Sequence, residues 1–467
     1  MPSLSRRTLL KGSALIGAYG LGLAAANRFA EAGVAAAPLE IEAKTTTAIL
    51  DGRNTTKNVF TYSLPGESSP MPPVLRLKRN APFAARLINR LDDATTIHWH
   101  GLRIPNAMDG VPFLTQPYVY KGDHFDYAFT PPDAGTFWYH PHCSTLEQMG
   151  HGMTGLLIVE DPKDPVFDAE LTLNLRDWRL GSDGQFIELF KPRDTARAGT
   201  FGTVRGANWQ VEPRMQAPTG GLVRLRLAAT DVTRIYNLKL DGAEAMVLAL
   251  DGQPLAKPKP LDMAVVAPGQ RLDLAIRMPD SEGQEASLVD LRPSTPKVVA
   301  RFQAAGASLK RTLSDTPALQ PNPFEEPDLG SAEHIPLVLS STAENAARDS
   351  ICGTLGYSFW AINKVVWPGD TPDPMAPLAE LKQGRSYVFD LVNTTPHAHP
   401  IHLHGMNFKV VASSKGPVDP LISDTYLVLP DEKVQLALVA HNPGDWVLHC
   451  HIIEHQKTGM TSYIRVV

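Results

Sequence analysis

The run His449-Cys450-His451-Ile452-Ile453-Glu454-His455, with Met460 just beyond it, decides how this chain reads. Neutral imidazole, thiolate and a weak thioether form the ligand set of an electron-transfer copper site. On a β-strand, successive side chains point to opposite faces. Cys450 would then face one way while His449 and His451 face the other, so that one strand holds a metal on each side with the cysteine as covalent bridge. The competing reading is a plain cluster of buried or surface histidines, and the rest of the chain weighs against it.

Working outward, the same frame recurs. Gly444 precedes His449-Cys450-His451 by five residues, and Gly135 precedes His140-Pro141-His142 by five. An alternating strand pattern leads into each, Lys433 to Leu438 in one and His124 to Phe129 in the other. Further upstream, Ile401-His402-Leu403-His404-Gly405 matches Ile97-His98-Trp99-His100-Gly101. A third copy lies between them. Leu238-Lys239-Leu240-Asp241-Gly242 stands in the place of the His-x-His-Gly, and Pro268 to Leu274 matches the later strand. With Lys239 and Asp241 where the other copies have histidine, this copy should carry no copper. Three repeats of alternating strands, with few amphipathic helical patterns, predict an all-β chain of three consecutive Greek-key β-sandwiches. Leu75–Lys78, Leu222–Leu227 and Arg271–Arg277 are its clearest strands. The expected divisions are 38–161, 166–305 and 335–467, with a Pro-rich linker over 306–334.

Ten of the fifteen histidines fall in four windows, at 98–100, 140–142, 399–404 and 449–455. An HxH on a strand projects both imidazoles from one face. The first repeat supplies His98/His100 and His140/His142, and the third supplies His402/His404 and His449/His451. Eight imidazoles from two related units imply a shared site at their interface, suited to about three metal ions. His399, Cys450, His455 and Met460 remain as a separate site. His124 on a predicted strand, His151 in a Gly-rich turn, His334 in the linker, and His397 and His441, which flank the motifs out of register, read as surface or supporting residues.

Bulk properties agree. A chain of 467 residues suggests about three domains. The formal net charge of −5, with no basic tract, gives a nucleic-acid partner no support. Three cysteines exclude a disulfide-rich scaffold. Cys143 and Cys352 read equally well as a bridge or as two thiols, because sequence supplies no distance between them. Residues 1–37 read as a twin-arginine export signal and its linker. Ser5-Arg6-Arg7-Thr8-Leu9-Leu10-Lys11 precedes an Ala/Gly-rich apolar run, with no later segment long enough for a membrane span. The mature chain is expected to be periplasmic or otherwise extracytoplasmic, without a stable membrane anchor, and a monomer.

The four motifs together resemble those of three-domain multicopper oxidases, the group that includes bacterial laccases and cuprous oxidases. The resemblance covers roughly residues 40–467 and implies three cupredoxin domains and four copper ions. It assigns His399, Cys450, His455 and Met460 to a type 1 copper, and His98 and His402 to a type 2 copper. His100, His140, His142, His404, His449 and His451 fall to a type 3 pair. It further implies four one-electron oxidations of a reductant at the type 1 site, with electrons passing through Cys450 to His449 and His451 while O2 is reduced to water. Asp109, in Met108-Asp109-Gly110, resembles an acid that the family places near the cluster, where it orients water or relays protons; a turn aspartate is the equal alternative. Gln456 departs from a Glu common in bacterial relatives, which puts more of any proton relay on Asp109. Glu454 reads as structural. The residues around Phe359, Trp360 and Trp367 either shape the approach to His455 or simply pack. For function, a laccase-like oxidase of phenols, aromatic amines or metal ions leads. A cuprous oxidase stands beside it, weakened by scattered methionines, and a copper-free envelope scaffold is disfavoured by the intact ligands.

Overall fold

The computed structural model describes residues 37–344, 354–369, 375–419 and 421–467. The export signal expected near the N-terminus and Cys352 lie outside the described residues. Glu40–Val467 forms one compact unit. Cys143 is buried and disulfide-bonded, and Cys450 is buried and free. No described helix is long and apolar enough to cross a membrane.

Six β-sheets account for the architecture, in three successive pairs. The first pair consists of two four-stranded sheets. Rings cross between them: Tyr62 lies 5.4 Å from Tyr139 and Trp99 lies 5.3 Å from Tyr127. The second and third pairs each combine a six-stranded and a five-stranded sheet. In both, the strand order is the same. Lys297–Ala305, Glu285–Asp290 and Tyr236–Asp241 are neighbours in one; Thr461–Val466, Gly444–Cys450 and His399–Leu403 hold the corresponding places in the other. The repeat seen in the chain is thus a repeat of topology. Each pair closes over an apolar core, built around Leu225, Leu274 and Phe302 in the second and Phe389, Leu436 and Trp446 in the third. Burial of these side chains from alternating strands is the main force holding each sandwich.

The predicted strands are present, but alternation does not mean what it does in an isolated sandwich. Leu222–Ala229 is buried along its whole length, including Arg224 and Arg226. Both arginines pair with Asp273, and Arg226 also reaches Thr136 of the first sandwich at 3.2 Å. The polar face of this strand is therefore an interface, where the charges are matched rather than solvated. Where the sequence placed His334 in a linker, it lies on the strand Glu333–Ser340, exposed and bonded to Asp390 at 2.8 Å.

The ligand-bearing strands are shorter than the alternation argument assumes. Only His98–His100 is a strand throughout its HxH. The strand Gly135–His140 stops before Pro141, which cannot donate to a ladder. His399–Leu403 stops before His404, and Gly444–Cys450 stops before His451. His455 sits on a short helix, Ile453–Lys457. Same-face projection therefore applies strictly to one pair. The others reach a common point from strand ends and turns. The registers hold the ends together, with His98 opposite His140 and His402 opposite His449. After each upstream HxH comes a glycine with positive φ, Gly101 at +86° and Gly405 at +65°. A side chain on Gly405 would strike the Trp446 ring at 2.3 Å, so the turn requires glycine on both counts.

Candidate metal centre

His399, Cys450 and His455 form the first cluster, fully buried. The His399 and His455 Nδ1 atoms are 3.1 Å apart, and the Cys450 Sγ lies 3.7 Å from each. Donor atoms that share one transition metal at about 2 Å stand roughly this far apart. The outer nitrogens settle the tautomers. His455 Nε2 donates to the Arg197 carbonyl at 2.9 Å. His399 Nε2 faces the Thr395 hydroxyl at 2.8 Å, and that hydroxyl already donates to Asn393 Oδ1. His399 therefore donates outward too. Both Nδ1 atoms then carry lone pairs aimed at each other and at sulfur, a convergence of donors that one shared metal ion would satisfy. Burial pushes the His399 pKa down to about 3 and the His455 value well below its usual range, keeping both rings neutral. Burial raises the Cys450 thiol, so metal binding must displace its proton. Met460 is buried beside them, and its carbonyl accepts the Cys450 N–H at 3.0 Å. The Trp360 ring packs 4.5 Å from His455 and 5.0 Å from His399, so this tryptophan walls the site.

Eight further histidines converge at the junction of the first and third sandwiches, all buried. His98 stacks on His404 and His100 on His402, each at 3.8 Å between ring centres. Donor groups for metals recur among them, as His98/His402/His404, His98/His100/His140 and His142/His404/His449. Here too the second ring nitrogen is held by the protein. The Nδ1 atoms of His98, His140, His402 and His449 face the carbonyls of Asp109, Pro141, Asp424 and Cys450 at 2.8–3.0 Å. That of His404 meets the Asp109 carboxylate at 2.8 Å. Each therefore turns a lone pair inward from Nε2. The His404 and His449 Nε2 atoms face each other at 3.2 Å with no proton between them. The Nε2 atoms of His98, His140, His142 and His402, and both ring nitrogens of His451, are buried without a protein partner. Leaving so many polar atoms unpaired would be costly in an apo fold. Burial, and then the neighbouring rings, hold His142, His404, His449 and His451 well below the usual imidazole range. The residues fit several transition-metal ions.

Asp424 is a member of this site that sequence reading missed. It lies 3.4 Å from His100 and 3.3 Å from His402. Burial opposes its ionisation, but the Arg271 guanidinium and the hydrogen bond from His402 prevail and hold its carboxyl below the usual range. Arg271 comes from the middle sandwich. It binds Asp424 through both terminal nitrogens and the Asp251 carbonyl at 2.8 Å. Gly269, also from the middle, passes so close that a Cβ there would meet His451 at 2.9 Å and His100 at 3.3 Å. The middle copy of the repeat thus supplies one wall and the central clamp. Its own HxH-equivalents, Lys239 and Asp241, form an exposed ion pair at 3.2 Å.

Asp109 carries out two tasks at once, with its carboxylate on His404 and its carbonyl on His98. Glu454 accepts from the Thr195 hydroxyl at 2.6 Å and the Thr200 hydroxyl at 2.7 Å, as well as from the Thr200 N–H, so its carboxylate is fully engaged away from the eight histidines. The Gln456 side-chain oxygen is buried without a protein partner. His151 stacks on Phe186 at 4.0 Å, away from both clusters, and packs as a supporting residue.

Paired sandwiches with one thiolate-containing cluster and one all-imidazole cluster define a multi-metal copper protein of the cupredoxin fold. Known proteins carry the same assignment further. Residues 44–164 and 341–467 each match a family model described as multicopper oxidase. The chain is 38% identical to a multi-copper oxidase of Pseudomonas thermotolerans, covering 93% of this chain and all of that one, with a TM-score of 0.82. It is 26% identical to the McoA multicopper oxidase of Aquifex aeolicus, covering 92% of this chain and 96% of that one, with a TM-score of 0.78. Multicopper oxidase MmcO of Mycobacterium tuberculosis is 29% identical over 84% of this chain and 80% of its own length. The chain belongs to the multicopper oxidase family, and is an oxidoreductase that uses O2.

Proposed function

We propose that this protein is a laccase-like oxidase that couples four one-electron oxidations of a reductant to the reduction of O2, four protons and four electrons to two molecules of water. In this reading His399, Cys450, His455 and Met460 hold the type 1 copper and His98 and His402 the type 2 copper. His100, His140, His142, His404, His449 and His451 hold the type 3 pair, making four coppers in all. Copper, when bound, supplies reversible one-electron chemistry and a place for O2. The protein supplies the rest. Cys450 is joined through the backbone to His449 and His451, so the two clusters share a short covalent path. The carbonyls on the Nδ1 atoms of His98, His140, His402 and His449 fix those rings and raise their basicity. Asp109, bound to His404, orients that ring and stands where a proton could be passed to the site. With Gln456 unable to titrate, Asp109 carries more of that relay.

The single observation that carries this reading is the facing of neutral lone pairs at 3.1–3.2 Å in both clusters. The same proposal includes sandwich boundaries at 38–161, 166–305 and 335–467, twin-arginine export to the periplasm or another extracytoplasmic space, no stable membrane anchor after processing, and a monomeric state. Copper-loaded protein should show an intense blue thiolate-to-copper absorption and consume one O2 per four electrons donated. The deciding measurement is O2 uptake across phenols, aromatic amines, bilirubin, Cu(I) and Mn(II). Absence of the blue band after loading would return the chain to the scaffold reading.

A further inference from the structure

The edge of His455 that would meet a reductant is covered. Segment 191–200 of the middle sandwich crosses it as a strap. The Arg197 carbonyl accepts from His455 Nε2, and the Thr195 carbonyl accepts from the Trp360 indole at 2.9 Å. Three hydrogen bonds from Thr195 and Thr200 to the buried Glu454 pin the strap down. Gly199, at φ +92°, leaves no room for a side chain, since a Cβ there would meet Thr233 at 2.6 Å and Glu454 at 3.0 Å. No direct bond from a substrate to His455 is available in this arrangement. An electron must cross the strap.

The outer face of the strap is basic. Lys191, Arg193 and Arg197 are exposed, against the single half-buried acid Asp194. None of the three cations has an ion pair among the described residues. The third-sandwich segments packed over the same site, 354–360 and 394–399, contain no Asp or Glu. Phe201, 42% exposed, follows the strap, with the Arg234 guanidinium 4.9 Å below its ring. An exposed aromatic surface beside unpaired cations suits a flat anion.

We propose that this strap selects the reductant, and that the preferred class is an anionic phenol, a ring bearing a carboxylate or sulfonate. The inference rests on reading His399, Cys450 and His455 as the site that accepts electrons. A copper held by His399, Cys450 and His455 would accept one electron from the phenol, and the Arg197 carbonyl and Trp360 are the groups of this chain that lie between. The phenol's hydroxyl proton leaves to solvent, and a phenoxyl radical departs. Cationic reductants, including Cu(I), meet the same field with the opposite sign.

The test compares syringate with its uncharged methyl ester, which share the oxidised ring. In the native chain the ratio of their kcat/KM values should fall as salt is added, because exposed charges are screened. In Arg193→Glu/Arg197→Glu the ratio at low salt should drop about tenfold, the scale on which surface fields change association, and Arg193→Lys/Arg197→Lys should restore it. A second readout needs no copper. The metal-free protein should bind 3,4,5-trimethoxybenzoate, which has no hydroxyl to oxidise, and the Glu variant should lose that binding. An unchanged ratio, or unchanged trimethoxybenzoate binding, overturns the proposal. If the copper-loaded native chain consumes no O2 with either ester or acid, the assignment of the copper sites fails instead, and the binding measurement still judges the strap.

Discussion

The two clusters obey one rule and are built in two ways. In both, neutral imidazoles converge on a common point, most of them locked through one nitrogen so that the other faces it. The cysteine cluster is made by a single sandwich, from residues 399–460, with the middle sandwich adding only the strap over it. The eight-histidine cluster exists in no single sandwich. It needs His98 to His142 from the first, His402 to His451 from the third, and the Arg271–Asp424 clamp between the second and third. A site within one core is as stable as that core. A site at a three-way junction depends on how the sandwiches dock, so the two should be separable by mutation.

The largest separation should come from Cys450→Ser. It should abolish the blue absorption and bring reductant-driven O2 uptake to background, while copper content drops by about one ion because the eight-histidine cluster keeps its donors. Retention of a strong blue band would break the comparison outright. His404→Ala is the converse. The blue band should survive and bleach with reductant, but it should not return on admitting O2; rapid reoxidation would place O2 chemistry elsewhere. Asp424→Asn removes the partner of a buried arginine, a change that costs about 3–5 kcal/mol. It should lower thermal stability and slow reoxidation with the blue band unchanged, read by calorimetry and stopped-flow absorbance.

A smaller effect separates them by acid. The folded His399 sits near 3 and its neighbours are also depressed, whereas unfolded histidines titrate near 6.5. Below about pH 6.5 the unfolded chain therefore binds more protons than the folded one, and stability falls as pH falls through the window down to about 3. The melting temperature of metal-free protein should be nearly level above pH 7, as far as these histidines set it, and should decline on acidification. Copper-loaded protein should hold steady further into acid, since bound metal competes with protons. A metal-free melting temperature that rises between pH 6.5 and 4 would contradict the buried neutral rings. Last, Asp109→Asn should slow O2 reduction by roughly ten- to a hundredfold, the range for partners of metal-ligating histidines, without altering the blue band. An unaffected rate would leave Asp109 as a turn residue.

Much of this was legible in the chain. His98, His100, His140 and the other histidines of the two clusters announced themselves because metal chemistry admits few residue types, and because the first and third repeats carry them at matching places. The alternating strands and the repeat also led to the β-sandwich fold. Asp424 was invisible for the opposite reason. It is one of many aspartates, in a Ser-Asp-Thr turn with no periodicity, and its role depends on Arg271, 153 residues away in the chain. Alternation marked Arg224 and Arg226 as the polar positions of a strand, but their burial and their pairing with Asp273 show only in the folded chain. His334 was assigned to the linker because it ends the Pro-rich run 306–334, although its strand is held in parallel pairing with residues 387–393.

The sequence by itself determined which side chains of metal-binding type recur, in which windows, and that the middle repeat has Lys239 and Asp241 where the outer two have histidine. Those are questions of residue type and order. Only the tertiary structure decided which nitrogen is held by the protein in His98, His140, His402, His404 and His449, that Gly269 and Arg271 of the middle repeat complete the larger cluster, and that a strap covers His455. These depend on distances between residues far apart in the chain, set by how three cores pack, and no local pattern encodes them.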